Sequence, residues 1–255
     1  RGVLSAVVLM VALVVLRRPL KPPPLGWTAL LGLFQTAGFA GLSFWALETG
    51  GSGKISVLTY TMPFWLLLMA WVFLGERMRG WQWVAAFFAL VGLVLILSPW
   101  ELRGVVSSAL AVATGFAWAA GAVVAKIIHK RHSVDLLSLT TWQMVLGVVP
   151  LIVVALARGV QAPDWSLSFA WVLAYNVVLS GGLAWIIWLF VLRVLPAGTT
   201  GLSSLANPVL GVLFSWLLLS ERPVWTEAVG MALILMGIAV LTIRGALAGR
   251  RSPAV

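Results

Sequence analysis

The sequence predicts an all-α integral membrane protein made of inverted 5+5 transmembrane-helix repeats, and three observations lead to this class. Of the 255 residues, 62% are hydrophobic and only 9% are charged, a balance that excludes an ordinary soluble domain. The apolar runs are about 20 residues long, which is what a helix needs to cross a hydrocarbon core of roughly 30 Å. The third observation is a stretch that occurs twice.

The repeated stretch is an apolar helix that is interrupted by proline and closed by Glu-Arg. It reads SVLTYTMPFWLLLMAWVFLGER in residues 56–77 and GLSSLANPVLGVLFSWLLLSER in residues 201–222. Pro208 follows Pro63 by 145 positions, and the two Glu-Arg pairs are separated by the same distance without a gap. Such a combination does not recur at one offset through composition alone, so it indicates an internal repeat.

Nine apolar spans are predicted, at residues 2–16, 25–47, 55–74, 80–98, 105–125, 134–157, 169–195, 201–219 and 224–243. Under the 145-residue offset, the span 134–157 matches the span 2–16, whereas the span 105–125 has no partner. Its mate would precede Arg1. We therefore expect nine helices in this chain and a missing first helix.

The predicted domains are a first repeat lacking its first helix (1–98), a second, inverted repeat (105–243) and a cytoplasmic tail (244–255). The chain has 17 Lys and Arg residues, which the spans divide unequally between two sides. Twelve lie on the side of the C-terminus: Arg17, Arg18, Lys21, Arg77, Arg79, Lys126, Lys130, Arg131, Arg193, Arg244, Arg250 and Arg251. This excess predicts a cytoplasmic C-terminus. An odd number of helices per repeat then inverts the second repeat.

Composition also limits the chemistry. The chain has no cysteine, hence no disulfide and no thiolate metal site. The net charge of +10 would suggest nucleic acid in a soluble protein, but basic residues in cytoplasmic loops explain it here. His129 and His132 are predicted to lie in a solvated loop without a neighbouring carboxylate. We expect no metal and no cofactor.

Pro63 and Pro208 are predicted hinges or kinks. Each lacks an N–H, so the carbonyls four residues earlier, at Thr59 and Ser204, lose their helical partners. Freed backbone groups at membrane depth are tolerated where they face a cavity. The alternative is a kink that only shapes the helix and is satisfied by neighbours. The polar residues that flank the kinks favour a cavity: Ser56, Thr59 and Tyr60 in one copy, and Ser203, Ser204 and Asn207 in the other.

Gln35 and Ser180 match under the same offset, in the span before each interrupted helix. Asn176 lies one turn before Ser180 and shares its face, and Phe39 lies one turn after Gln35. These groups either hold helices together or bind a ligand.

Trp118 is the preferred cavity aromatic among 15 tryptophans, because the small residues Gly115, Ala119 and Gly121 surround it. Most of the other deep tryptophans are expected to face lipid or to pack between helices. The Glu-Arg pairs either anchor helix ends at the headgroups or form a gating ion pair.

These residues resemble the drug/metabolite transporter superfamily in its ten-helix EamA-type form. The resemblance covers the whole chain, and Ser220 departs from it where the family has glycine. The motifs that carry it are Pro63 with Leu74-Gly75-Glu76-Arg77, Pro208 with Leu219-Ser220-Glu221-Arg222, Leu195-Pro196-Ala197-Gly198 and Ala117-Trp118-Ala119.

The resemblance implies a multi-pass secondary transporter of the bacterial inner (plasma) membrane that works by alternating access, and not an enzyme. We expect export of small neutral solutes, most of all aromatic or hydrophobic amino acids. Other metabolites or drugs are the alternative, followed by a channel or an intramembrane enzyme. No Arg or Lys is predicted at mid-span, which disfavours nucleotide sugars, and no buried carboxylate is visible for cationic drugs. Besides the small-molecule substrate, membrane lipids are expected partners, and nucleic acid is not.

The expected substrate site lies at mid-membrane, between the two proline kinks. Its polar groups would bind the ammonium and carboxylate, and its aromatic groups would pack the side chain. The substrate-binding residues are predicted to be Gln35, Phe39, Thr59, Tyr60, Trp118, Asn176, Ser180, Ser204 and Asn207.

Overall fold

The computed structural model describes residues 1–49, 58–77, 80–97, 105–159, 164–219 and 224–249. Every regular element in these ranges is a helix, which confirms the all-α class. The α-helices are α1 (Gly2–Val15), α2 (Leu25–Leu31), α3 (Phe39–Thr49), α4 (Met62–Leu74), α5 (Gly80–Leu97), α6 (Val105–Arg131), α7 (Leu136–Arg158), α8 (Leu167–Tyr175), α9 (Ala184–Val194), α10 (Ala197–Ser203), α11 (Ala206–Leu219) and α12 (Trp225–Gly249). A first π segment (Gly32–Gly38) joins α2 to α3, and a second π segment (Asn176–Leu183) joins α8 to α9.

The helices have the length and surface of membrane spans. Among the described residues, four are long and apolar enough to cross a bilayer: Leu25–Glu48, Val105–Arg131, Leu136–Arg158 and Leu167–Val194. Shorter apolar helices accompany them: Gly2–Val15, Met62–Leu74, Gly80–Ile96 and Ala228–Val240. Large apolar side chains such as Phe87 and Trp171 are exposed, which suits contact with lipid tails rather than water. The protein is an integral membrane protein.

The chain forms two compact units, residues 1–44 with 117–195 and residues 45–116 with 196–255. We call them the first and the second unit. Two of the three boundaries fall inside α3 and α6, and the third lies between α9 and α10. Each unit therefore takes helices from both halves of the sequence.

Irregular backbone recurs at matching positions of the two repeats. Adding the 145-residue offset to the first π segment gives residues 177–183, which is nearly the whole of the second π segment. A turn at Tyr60-Thr61 precedes α4, and a turn at Ser204-Leu205 separates α10 from α11. The two turns correspond within one residue under the same offset. The two copies of the repeat therefore depart from α-helical geometry at equivalent positions.

The first π segment packs by close backbone approach within the first unit. A Cβ atom built on Gly32 would lie 2.7 Å from the carbonyl oxygen of Gln143 and 2.9 Å from the backbone nitrogen of Gly147, both in α7. A Cβ on Gly121 of α6 would lie 2.6 Å from the Cβ of Gln35. Small residues drive helix association in membranes because they allow such contact.

The second unit is held together in the same way, by α5 against α12. A Cβ atom on Gly92 would come 2.5 Å from the carbonyl oxygen of Gly230, and one on Gly230 would come 2.6 Å from the carbonyl oxygen of Gly92. An apolar cluster surrounds this contact, with Tyr60 packed against it. Its buried members are Leu67, Ala85, Ala86, Ala89, Leu93, Leu202, Leu205, Val209 and Ile234.

Glu76 caps a helix, a role that the sequence did not indicate. Gly75 has a φ of +67°, which glycine adopts without strain, and the Glu76 N–H donates to the Ala70 carbonyl at 3.1 Å. The turned chain directs the Glu76 carboxylate to α10, where Oε2 accepts a hydrogen bond from the Ala197 N–H at 2.9 Å. The described contact is thus a helix cap and not a gating ion pair. Glu221-Arg222, Ser220 and Ser56 lie outside the described residues.

The predicted end of the span 105–125 is wrong, because α6 continues to Arg131. His129 therefore lies on a half-buried helical turn and not in a loop, whereas His132 follows the helix end. Lys126 is buried within α6, and its Nζ donates to the carbonyls of Leu192, at 2.6 Å, and Leu195. These carbonyls lie at the C-terminal end of α9, where no helical N–H is available to them. Their oxygens accept hydrogen bonds from the Lys126 ammonium group, which was predicted to lie in a loop.

Gly32→Ala should destabilise the protein, whereas Gly26→Ala in the same helix should not. The new methyl group of Gly32→Ala would overlap the α7 backbone, and overpacking costs about 1–3 kcal/mol. No atom lies within 4 Å of a Cβ built on Gly26. Thermal unfolding of both purified variants in detergent checks this expectation. Equal melting temperatures would contradict the close contact between the first π segment and α7.

Candidate functional site

Gln35 is the most unusual buried residue of the first unit. Its side chain is fully buried on the first π segment, and neither Oε1 nor Nε2 has a hydrogen-bond partner among the described residues. A buried polar group without a partner costs about 1–3 kcal/mol. Single π turns inside α-helices are frequent at functional sites. Both observations make Gln35 a candidate ligand-binding group, in agreement with the sequence.

Gln143 extends this polar region from α7. It is fully buried, its Nε2 donates to Thr36 Oγ1 at 3.5 Å, and its Oε1 has no partner among the described residues. Thr36 follows Gln35 on the first π segment, so this segment carries one of the two buried amides and is hydrogen-bonded to the other. Sequence reasoning missed Gln143 because the 145-residue offset pairs it with no residue of this chain. The only available signal was an amide in the middle of an apolar span.

Trp118 is buried, as predicted for a cavity aromatic, and pairs with Trp188 of α9. The two ring centroids are 4.3 Å apart and the planes are inclined by 39°. Trp188 Nε1 is buried without a hydrogen-bond partner among the described residues. Trp118 lies one turn before Gly121, the residue against which Gln35 packs. The first unit thus places an aromatic pair and unpaired amide groups on adjoining faces of α6.

The other residues of the first unit that were predicted to bind substrate either have hydrogen-bond partners or are only half-buried. The Asn176 amide is already engaged, since Nδ2 donates to the Val172 carbonyl at 2.9 Å and Oδ1 accepts from Arg1 at 3.3 Å. Ser180 is half-buried on the second π segment, and Phe39 is half-buried at the start of α3. Of this predicted set, Gln35 and Trp118 have the environment that a site requires.

The second unit contains the proline turns. Pro63 is the second residue of α4 and offers no N–H to the Thr59 carbonyl. That carbonyl lies 3.0 Å from the position of a Cβ on Gly115, so α6 approaches the turn closely. Half-buried Tyr60 packs against the apolar cluster of this unit.

The prediction of a freed Ser204 carbonyl is wrong. This carbonyl accepts a hydrogen bond from the Asn207 N–H at 3.0 Å, a three-residue closure that replaces the α-helical one. The Ser204 hydroxyl donates to the Gly201 carbonyl at 2.6 Å, so the turn satisfies itself. Asn207 is exposed in this unit, and Pro208 is buried.

The electrostatics of the described interior favour an uncharged or zwitterionic ligand. No Asp or Glu is buried among the side chains that the structure describes, and the buried cation Lys126 binds backbone carbonyls at a helix end. No group of three or more metal-ligating side chains occurs among those residues. The buried polar groups that remain are amides and hydroxyls.

Comparison with known proteins gives a family. The model of the EamA-like transporter family matches residues 1–98 and 106–243. A solved crystal structure shares the fold, with a TM-score of 0.77 and 22% identity over 95% of this chain and 86% of that chain.

Named relatives are similar in sequence over most of their length. The uncharacterized transporter YoaV of Bacillus subtilis is 27% identical, over 82% of this chain and 73% of its own. A probable amino-acid metabolite efflux pump of Escherichia coli is 26% identical, over 85% and 77%. A riboflavin transporter of Rhizobium johnstonii is 27% identical, over 86% and 68%. Because the family model matches nearly the whole chain, this protein belongs to the EamA-like transporter family.

Proposed function

We propose that this transporter is a secondary carrier that exports small neutral solutes, above all aromatic or hydrophobic amino acids, by alternating access. The observation that carries the proposal is Gln35, a fully buried amide with no hydrogen-bond partner among the described residues, which packs against Gly121 of α6, one turn after Trp118 of the Trp118–Trp188 pair. One amide supplies an acceptor for an ammonium group and donors for a carboxylate. The indoles supply an apolar surface for the substrate side chain.

The absence of a buried carboxylate from the described ranges separates this proposal from the export of cationic drugs. A nucleotide-sugar carrier would place Arg or Lys where the phosphates bind. The buried Lys126 instead binds the carbonyls of Leu192 and Leu195. Both substrate classes therefore have less support than a zwitterion.

The names of relatives agree with a small organic substrate. They include an amino-acid metabolite efflux pump and a riboflavin transporter, each at about a quarter identity. The finer resemblance, to the bacterial aromatic amino-acid exporter YddG, rests on richness in tryptophan and lack of buried charge. Transport of a wider panel of metabolites distinguishes the amino-acid proposal from its alternative.

The matching irregularities of the two repeats support alternating access. Two π segments and two proline turns occur at equivalent positions. Inverted repeats with interrupted helices expose one site to either side by rocking. A channel would need no such pairing, and its flux would not saturate with substrate.

Gln35→Leu should abolish most amino-acid transport without destabilising the protein. The substitution removes an unpaired buried amide, so the free energy of unfolding should stay equal or rise. Loss of a hydrogen bond to a charged substrate group should lower counterflow about tenfold to a hundredfold. Counterflow in liposomes, measured per folded molecule against a panel of amino acids, tests this.

Thr140→Val is the matched control, because the buried Thr140 hydroxyl donates to the Leu136 carbonyl of its own helix at 2.7 Å. It should transport normally. If Gln35→Leu also transports normally and melts at a lower temperature, Gln35 only holds helices together and the proposed site is wrong.

Trp118→Leu should reduce transport of phenylalanine more than transport of alanine. An aromatic contact adds about 0.5–1.5 kcal/mol beyond area burial, so the two reductions should differ by about twofold to tenfold. Trp171→Leu, on the exposed face of α8, is the control. Equal reductions for both substrates would mean that Trp118 supports the fold and does not contact the substrate side chain.

We also propose that the C-terminus is cytoplasmic in the inner (plasma) membrane, because twelve of the 17 basic residues lie on its predicted side. Since the chain has no cysteine, Ser133→Cys introduces a single thiol, on the side assigned to the C-terminus. An impermeant maleimide should label it only in broken cells. Labelling in intact cells would reverse the orientation.

A further inference from the structure

A cationic cavity lies at the end of α6, away from Gln35 and the tryptophan pair. Its volume is about 270 Å³. Its lining consists of His129, Lys130, Arg131, His132, Ser133, Val134 and Arg193. This lining contains three cations, two histidines and no carboxylate. The C-terminal dipole of α6 contributes only about half a negative charge, so the cavity remains strongly positive.

The donors of this cavity are partly oriented before any ligand binds. Arg131 lies over the ring of Trp27, with its guanidinium carbon 5.5 Å from the ring centroid. The His129 ring is held by a hydrogen bond to the Leu189 backbone of α9. A neighbouring cavity shares Arg131 but also contains Asp135, which pairs with Arg18 at 3.6 Å. The smaller cavity is therefore the better site for an anion.

An apolar stripe adjoins the cavity along α9. Ile187, Phe190 and Val194 follow the helical spacing and are 51%, 52% and 62% exposed. Phe190 lies one turn before Arg193, so the stripe and the cationic cavity share one side of the helix. A small soluble anion would make no contact with the apolar side chains of this stripe. A lipid has acyl chains to place on it.

We propose that the cavity binds the phosphate headgroup of an anionic phospholipid, whose acyl chains lie along Ile187, Phe190 and Val194. Lys130, Arg131 and Arg193 surround the phosphate and supply its hydrogen-bond donors. Basic pockets between transmembrane helices bind anionic headgroups in this way. The site is distinct from the proposed substrate site and does not depend on it.

The test is lipid-dependent thermal stabilisation of the delipidated full chain in neutral detergent. Phosphatidylglycerol should raise the melting temperature, and phosphatidylcholine of the same chain length should not. The double variant Lys130→Ala/Arg193→Ala should require roughly 25-fold more phosphatidylglycerol for half of the effect, at about fivefold for each cation removed. Arg77→Ala/Arg158→Ala removes the same charge outside the cavity and should respond like the parent.

The same melting experiment is repeated with inorganic phosphate in place of the lipid. Stabilisation by inorganic phosphate equal to that by phosphatidylglycerol would overturn the lipid assignment in favour of a free anion. Equal stabilisation by phosphatidylcholine, or an unchanged response of the double variant, would also overturn it. Arg193→Lys keeps the positive charge and should keep most of the response to phosphatidylglycerol. This variant controls for a loss of response that is caused by misfolding.

Discussion

The bilayer leaves a backbone N–H or C=O group no partner but the protein itself, and this constraint decides where the chain can depart from an α-helix. An unpaired group in hydrocarbon costs several kcal/mol. Within the apolar spans, the described chain departs from α-helical hydrogen bonding at two π segments and two proline turns, at matching places in the repeats, and Pro150 interrupts it inside α7. At Ser204 the cost is removed locally, because the carbonyl accepts from the Asn207 N–H. Irregular backbone is thus concentrated where inverted-repeat carriers place their substrates.

Glycine contacts connect this constraint to the candidate site. The Gly32–Gly147 contact brings the first π segment against α7, and Gly121 brings Gln35 against α6. The Gln35 amide is buried at this close contact, without a hydrogen-bond partner in the described part of the chain. The close packing that stabilises the first unit also leaves the Gln35 amide without a hydrogen-bond partner among the described residues. In the proposed site, the substrate would provide that partner.

Much of the fold was predictable, and less of the site. Composition and span length predict helices because only helices satisfy their own backbone in lipid, and Pro63 and Pro208 mark real turns. The end of α6 was not predictable, because a lysine at the end of an apolar run normally marks a solvent-exposed loop. Lys126 is instead buried in the helix, where it donates to the carbonyls of Leu192 and Leu195, two residues that are distant in sequence. Repeat symmetry and small neighbours single out Gln35 and Trp118 in the sequence, and their role in binding stays a prediction. Trp188 could not be singled out, because its pairing with a residue 70 positions away depends on how α6 and α9 pack.

The two kinds of buried polar group in the first unit suit different tasks. Lys126 is satisfied by helix-end carbonyls, so it fixes the end of α9 and offers little to a ligand. Gln35 is unsatisfied in the described structure but neutral, so a zwitterion bound there gains hydrogen bonds without a full countercharge. A charged residue in its place would bind more tightly and would hold one state of the carrier, because a ligand shifts a conformational equilibrium by its difference in affinity. In the proposed site, a neutral amide and an aromatic pair would bind a substrate tightly enough to select it and weakly enough to release it, which is the balance that a carrier needs.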